Sequence, residues 1–207
     1  MAKGILITLE GNEGCGKSTQ TKLLYTFLKK KKRVFLTREP GGTRLSDAIR
    51  NILLDNKNKG MSGVTETLLY MASRAQLVTE VIAPRLKRGE IVLCDRWMDS
   101  TVAYQGFGAG IDIAWIRALG EEATQGIEPA LTLFLDLPLE EGLKRAVSHK
   151  KADRMERKSL LFHRKVRRGY DWIARKEPKR FKRVIISPKD SIETVHEKIK
   201  KEVLRVL

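Results

Sequence analysis

Gly11-Asn12-Glu13-Gly14-Cys15-Gly16-Lys17-Ser18 constrains this chain more than any other stretch. It fills every fixed position of G-x-x-x-x-G-K-[ST], the loop whose backbone N–H groups cradle phosphates. The flanks agree with it. Ile5, Leu6, Ile7 and Leu9 form an apolar run that reads as a buried strand, and residues 19–30 read as a helix. The three glycines permit tight turns and a close approach of backbone to an anion. The following helix turns its positive end toward that anion. Lys17 can reach β- and γ-phosphates, and the Ser18 hydroxyl can hold Mg2+. A glycine-rich turn without phosphate is the alternative, and the agreement of strand, loop, Lys-Ser and helix speaks against it. A nucleotide site is expected here.

Beyond this unit, residues 33–37 read as a second strand that ends in Arg38-Glu39-Pro40-Gly41-Gly42-Thr43, where Pro-Gly-Gly marks a loop. Helical apolar spacing follows over 45–54 and over a long stretch, 65–86, with a polar break at 56–63 between them. Strand 90–94 delivers Asp95-Arg96-Trp97. A short helix at 101–104, a glycine-rich loop at 106–110 and a helix at 113–123 are expected next. Strand 131–135 ends at Asp136, and helix 139–147 leads to a charged break at 148–156. Helix 160–175, strand 184–186 and a last helix over 192–207 complete the chain. Strands alternating with helices predict a parallel sheet covered on both faces, in one domain spanning 1–207.

No apolar run reaches membrane-spanning length, and Met1-Ala2-Lys3 leads directly into a strand, so neither membrane segment nor signal peptide is expected. Cys15 and Cys94 are distant from each other, one in the phosphate loop and one in a core strand, which suits a reduced cytoplasmic protein. A small residue at a variable loop position accounts for Cys15 better than a reactive thiol does. The net charge of +16 is uneven: between Lys144 and Arg183, seventeen Lys and Arg face four Asp and Glu. Such a segment can bind nucleic acid, or it can be solvated helix faces with a few phosphate-gripping side chains. Four aromatics without recognition spacing favour the second account.

In open α/β sheets ligands bind beyond the carboxyl ends of the strands. Those ends carry Glu10-Gly11, Arg38-Glu39, Asp95-Arg96 and Asp136. Arginines and carboxylates around a phosphate loop suit phosphoryl transfer, which needs positioning and charge neutralisation. Arg96 can bridge donor and acceptor phosphates. Asp95 can bind Mg2+, or merely cap the helix after it.

Taken in order, the Gly11–Ser18 loop with Glu13, Thr37-Arg38-Glu39-Pro40-Gly41-Gly42-Thr43, Asp95-Arg96, Ser100-Thr101-Val102-Ala103-Tyr104-Gln105-Gly106 and Asp153-Arg154 resemble the motifs of the thymidylate kinases. The resemblance runs from Ile5 to the last helix. It implies a three-layer phosphate-loop NTPase fold with a five-stranded parallel sheet between helices, and a lid at about 148–158. It implies transfer of the γ-phosphoryl group of ATP to dTMP with Mg2+, giving dTDP for dTTP synthesis. It further implies a homodimer; with the cysteine and apolar patterns above, a cytoplasmic protein with no membrane partner is expected, and nucleic acid is not an expected partner. ATP would meet Gly11, Asn12, Glu13, Gly14, Cys15, Gly16, Lys17, Ser18 and Thr19, with Ser18 and Asp95 on the metal. Tyr70 would stack on thymine and Arg74 would hydrogen-bond its edge; their four-residue spacing does put both on one helix face. Glu13 would meet the sugar 3′-hydroxyl. Glu39, Pro40, Arg50, Arg96, Ser100, Thr101, Tyr104 and Gln105 would complete the acceptor site. Without the resemblance, packing accounts for Tyr70, and surface charge for Arg74 and Arg50.

The chain departs from the family pattern in places. Tyr70 stands for a commoner phenylalanine, and Ser187-Pro188 for Asp-Ala. Gly14 stands where one subgroup carries a loop arginine, which implies the other subgroup, whose catalytic cation comes from the lid. The lid here begins Val147-Ser148-His149-Lys150-Lys151, where arginines are commoner. Arg154 is the expected catalytic cation beside Lys17 and Arg96; Lys150, Lys151 and Arg145 are the other candidates. Two rival functions remain: a kinase for another nucleoside monophosphate or a deoxynucleoside, and a phosphate-loop ATPase that binds nucleic acid.

Overall fold

Strand β1 (Ile5–Glu10) takes the middle of the sheet, buried on both of its faces. It pairs in parallel with β3 (Ile91–Asp95) on one side and β4 (Leu131–Asp136) on the other. Strands β2 (Val34–Arg38) and β5 (Phe181–Ile185) close the two edges. The sheet is five-stranded and all parallel, in the order β2-β3-β1-β4-β5. The computed structural model describes residues 4–149 and 153–207, with side chains from 147 to 149 excepted.

Alternation along the strands divides the core. Ile7, Leu9, Ile91, Leu93, Leu133 and Leu135 face helices α1 (Lys17–Leu28) and α9 (Ile192–Val203). On the opposite face Leu6, Val92 and Cys94 meet Leu77, Val78 and Ile82. Phe134 on that face joins Tyr170, Phe181 and Met71 in a third cluster. Serine, threonine and aspartate start the helices where the sequence puts them. Thr43 caps α2 (Arg44–Leu54), Ser62 caps α3 (Gly63–Leu77) and Asp112 caps α6 (Ile113–Thr124). Ser159 caps α8 (Leu160–Lys176) and Ser191 caps α9; each side chain accepts from a backbone N–H three residues on.

Three expectations need correction. The long helix over 65–86 is broken in type: α3 passes into a π-helical turn, Val78–Ile82, before the short α4 (Ala83–Lys87). Pro84 lacks an N–H and its ring needs room, and a widened turn provides it. The stretch expected as a loop at 106–110 is helical to Gly108: α5 (Met98–Thr101) continues as the π-helical segment Val102–Gly108. Its glycines serve close packing, since a Cβ on Gly108 would lie 2.7 Å from Phe162 and one on Gly106 3.2 Å from Ile113. Strand β5 begins three residues earlier than expected, because Phe181 is buried against Phe134 and Tyr170. Helix α7 (Leu139–His149) follows β4.

Candidate active site

The carboxyl ends of β1, β2 and β3 open onto a cavity of about 360 Å3, lined by loop and helix residues from all three. The phosphate loop forms one wall. Gly11, Gly14 and Gly16 have φ of 151°, 68° and 88°, backbone that only glycine adopts without strain. Lys17, the first residue of α1, donates from Nζ to Gly11 O at 2.9 Å and Asn12 O at 3.0 Å. Cys15 is buried in the core beneath the loop, and burial pushes its thiol up from the ordinary range. The thiol is therefore a packing group. Ser18 Oγ donates to Asp95 Oδ2 at 2.8 Å, joining α1 to the end of β3, and Thr19 is exposed on the first turn.

Gly14 lies against α7. A Cβ there would fall 1.9 Å from Gly142 O, and one on Gly142 would fall 2.4 Å from Glu13 O. No side chain fits at position 14 in this packing, so a loop arginine is sterically excluded.

Arg96 is the hub. It follows β3 with φ of 75°, a left-handed conformation that costs a non-glycine residue on the order of 1–3 kcal/mol. Its Nη2 donates to Glu13 Oε1 at 2.7 Å, and its Nη1 donates to Ser100 Oγ at 3.1 Å and Gly11 O at 3.2 Å. Tyr104 OH donates to the same Glu13 oxygen at 2.7 Å, with the guanidinium 5.0 Å from its ring centre. Burial opposes the charge on Glu13, but Arg96, Lys17 and the Tyr104 hydroxyl hold its carboxyl down at about 2. Beneath them Glu10 accepts from Trp97 N at 2.7 Å, Ser100 Oγ at 2.6 Å and Tyr170 OH at 2.9 Å, fixing the turn that carries Arg96. Burial and the nearby Asp99 raise Glu10 to about 7 against Arg96 and its donors.

A second wall of the cavity is built on α3. Arg74 is 2 % exposed and gives Nε and Nη2 to one oxygen of Glu39, at 2.9 and 2.6 Å. Its Nη2 also donates to Thr101 Oγ1 at 3.1 Å, and its guanidinium lies 5.6 Å from the Trp97 ring centre. Burial raises the Glu39 carboxyl even so. Tyr70, one turn before Arg74, lines the cavity half-buried, and burial raises its hydroxyl. Arg50 donates to Pro40 O at 2.8 Å; burial and Arg38 lower it. Gln105 donates to Glu66 Oε1 at 2.6 Å. Tyr70, Arg74, Glu39, Pro40, Arg50, Arg96, Ser100, Thr101, Tyr104, Gln105 and Glu13 thus share one cavity with Lys17, Ser18 and Asp95.

Arg154 is the exception. The expected cation over the phosphates is buried at 4 % exposure beside α2 and α3. Its Nε donates to Leu53 O at 2.7 Å and its Nη1 forms an ion pair with Glu66 Oε2 at 2.6 Å. Two buried partners of this kind hold the side chain, and it is not among the residues that line the cavity. Its neighbours Asp153, Met155 and Glu156 line the same cavity. Lys150 and Lys151 lie outside the described residues; Arg145, on α7, donates to Pro188 O at 3.3 Å.

Motif spacing gives Tyr170 and Glu66 no place in the site, and it puts Glu10 at a strand end without a role. The structure adds its role, a buried carboxylate that accepts from Trp97 N, Ser100 Oγ and Tyr170 OH. Much of the basic segment is occupied in ion pairs. Arg167 and Arg183 meet Asp136, and Arg180 meets Asp99 and Glu177.

The sequence profile described as thymidylate kinase matches residues 9–199. The chain belongs to the thymidylate kinase family. It is 47 % identical over 208 residues to a thymidylate kinase of Geotalea uraniireducens, covering 97 % of each chain. With a thymidylate kinase of Citrifermentans bemidjiense it shares 52 % identity over 185 residues, 86 % of this chain and 82 % of that one. The crystal structure of thymidylate kinase from Ehrlichia chaffeensis superposes with a TM-score of 0.80 at 34 % identity, over 97 % of this chain and 98 % of that one. The fold is thus that of a phosphate-loop kinase, and the enzyme is a transferase that phosphorylates dTMP to dTDP.

Proposed function

We propose that the cavity holds dTMP against Tyr70 and Arg74, with ATP on the Gly11–Thr19 loop, and that the γ-phosphoryl group passes between them beneath Arg96. The observation that carries this is the junction of the two walls. Arg96 touches the phosphate loop at Gly11 and Glu13 and the acceptor wall at Ser100. A guanidinium at that junction can neutralise charge on donor and acceptor phosphates together. Lys17 and Arg96 are the catalytic cations in this assignment. Glu13, with its negative charge held firmly, faces the sugar, while Thr101 and Gln105 border the base. Ser18 and Asp95, hard oxygen donors already 2.8 Å apart, suit Mg2+ together with phosphate oxygens and water. The ion would neutralise charge on the transferring group.

A pocket built to hydrogen-bond one base edge rejects bases that leave its polar groups unpaired. A coupled assay with ATP and each nucleoside monophosphate is expected to give dTMP as the best acceptor; equal turnover of AMP and dTMP would sink the assignment.

The homodimer and cytoplasmic location belong to the same proposal. Leu45 and Ile52 on α2 and Val64 and Leu68 on α3 are about half-exposed and offer an apolar surface for a second subunit. Sedimentation of the enzyme at micromolar concentration tests it. No helix among the described residues is long and apolar enough to cross a membrane.

A further inference from the structure

Arg154 sits within the stretch expected as a lid, yet its side chain runs to Leu53 and Glu66 on α2 and α3. Its backbone N–H donates to Leu54 O at 3.3 Å and its Nε to Leu53 O at 2.7 Å, both at the carboxyl end of α2. Helices leave their last carbonyls without internal partners, and an arginine is suited to cover them. Its Nη1 is paired with Glu66 Oε2 at 2.6 Å, with both side chains 3–4 % exposed. The other oxygen of Glu66 accepts from Gln105. Glu66 lies one helical turn before Tyr70 on α3. The chain Leu53–Arg154–Glu66–Gln105 therefore links α2, α3 and the segment Val102–Gly108, three elements that wall the acceptor cavity. The turn at Asp153, whose Oδ1 accepts from Met155 N at 2.8 Å and Glu156 N at 2.9 Å, lies directly over that cavity.

We propose that Arg154 is a positioning residue for the acceptor, fastening the turn 153–156 over dTMP and fixing Gln105 and Tyr70 through Glu66. The proposal rests on the assignment of the cavity to dTMP. A guanidinium committed to a carbonyl and a buried carboxylate is not available to a transferring phosphoryl group, and its geometry suits it for joining a planar carboxylate to a second acceptor. Glu66 in turn needs the guanidinium, because a buried carboxylate without a cation is strongly disfavoured. The pair therefore acts as one unit, and its removal loosens the acceptor wall and leaves the phosphate loop as it was.

The test measures dTMP binding by calorimetry without ATP, and steady-state kinetics, for the wild type, Arg154→Met, Arg154→Lys, Glu66→Gln and Arg154→Met/Glu66→Gln. Expected for Arg154→Met is a dTMP affinity weaker by tenfold or more in the absence of ATP, a matching rise in KM for dTMP, and kcat within about threefold. Arg154→Lys recovers part of the affinity. Glu66→Gln weakens binding in the same way, and the double variant is no worse than the weaker single, as for two members of one unit. Loss of 10^3-fold in kcat with dTMP affinity intact would overturn the proposal and return Arg154 to the transition state. Equal dTMP affinity in the wild type and all three single variants overturns it as well. A wild-type enzyme that does not bind dTMP at all overturns the assignment of the cavity itself. If Arg154→Met fails to fold, Glu66→Gln and Arg154→Lys carry the same comparison.

Discussion

Glu13 and Arg96, eighty-three residues apart in the chain, meet at 2.7 Å at the mouth of the phosphate loop. The contact joins the two strand ends, β1 and β3, on which the site depends. It also keeps the carboxylate charged in spite of burial.

The first prediction concerns that pair. If dTMP binds as proposed, a carboxylate fixed at the mouth of the phosphate loop can accept a hydrogen bond from its 3′-hydroxyl, and a hydrogen bond to a charged group contributes about 1.5–3 kcal/mol. Glu13→Ala is therefore expected to lose most discrimination between dTMP and its 3′-deoxy analogue, a change of roughly tenfold to 100-fold in relative kcat/KM. If the variant discriminates as well as the parent, Glu13 serves Arg96 alone. The folded pKa of about 2 lies below the ordinary 4.5, so the stability that Glu13 contributes is complete above 4.5 and is lost as pH falls toward 2. Glu13→Gln should flatten a Tm curve in that window.

A second prediction follows from the contact of Gly14 with Gly142. Any side chain at position 14 meets the α7 carbonyl, and the backbone there has φ of 68°. Gly14→Ala should destabilise the fold by about 1–3 kcal/mol through overpacking and lower kcat by displacing the loop. Gly14→Arg, meant to import a loop cation, should be worse than Gly14→Ala; a gain in kcat from it would show that α7 moves aside.

What the residues of the chain made legible, and what they did not, divides along the range of the interactions. The phosphate loop, the strands and the motif residues at their ends could be read because backbone geometry and phosphate chemistry fix both type and spacing. The glycines at 106 and 108 were misread because a turn and a tight helix contact demand the same missing Cβ, and only the neighbours Phe162 and Ile113 distinguish them. A basic break between helices that can close over a nucleotide points Arg154 at the phosphates. Nothing local shows that Leu53 and Glu66, far earlier in the chain, face it. Glu66 itself reads as an ordinary acidic residue in the first turn of α3.

Glu10 supplies a prediction in pH. Its folded pKa of about 7 lies above the ordinary 4.5, so between those values the folded state binds more protons than the unfolded chain. The stability it contributes is complete below 4.5 and is lost as pH rises through 7, with a slope of at most about 1.4 kcal/mol per pH unit. Glu10→Gln should remove that slope from Tm measured between pH 4.5 and 7.5, whatever its effect on Tm itself. An unchanged slope would mean that Glu10 is ionised throughout, held so by Trp97, Ser100 and Tyr170.

The last prediction concerns Glu39 and Arg74. Two donors of the guanidinium meet one carboxylate oxygen, and both side chains are 2–3 % exposed. Removing one member of such a pair leaves a buried charge alone, at a cost of about 3–5 kcal/mol. Glu39→Ala should therefore lower stability by that order. It should also weaken dTMP, because Arg74 would turn from the position that Thr101 and Glu39 together define. Glu39→Gln keeps one acceptor oxygen and should recover part of both losses. The alternative is that the pair only packs the core and the acceptor never meets Arg74. That case predicts lower stability with an unaltered Kd for dTMP, measured by calorimetry at a temperature where each variant remains folded. Kd separating from Tm in this way would remove Arg74 from the acceptor site, whereas joint loss in Glu39→Ala with partial recovery in Glu39→Gln places it on the base.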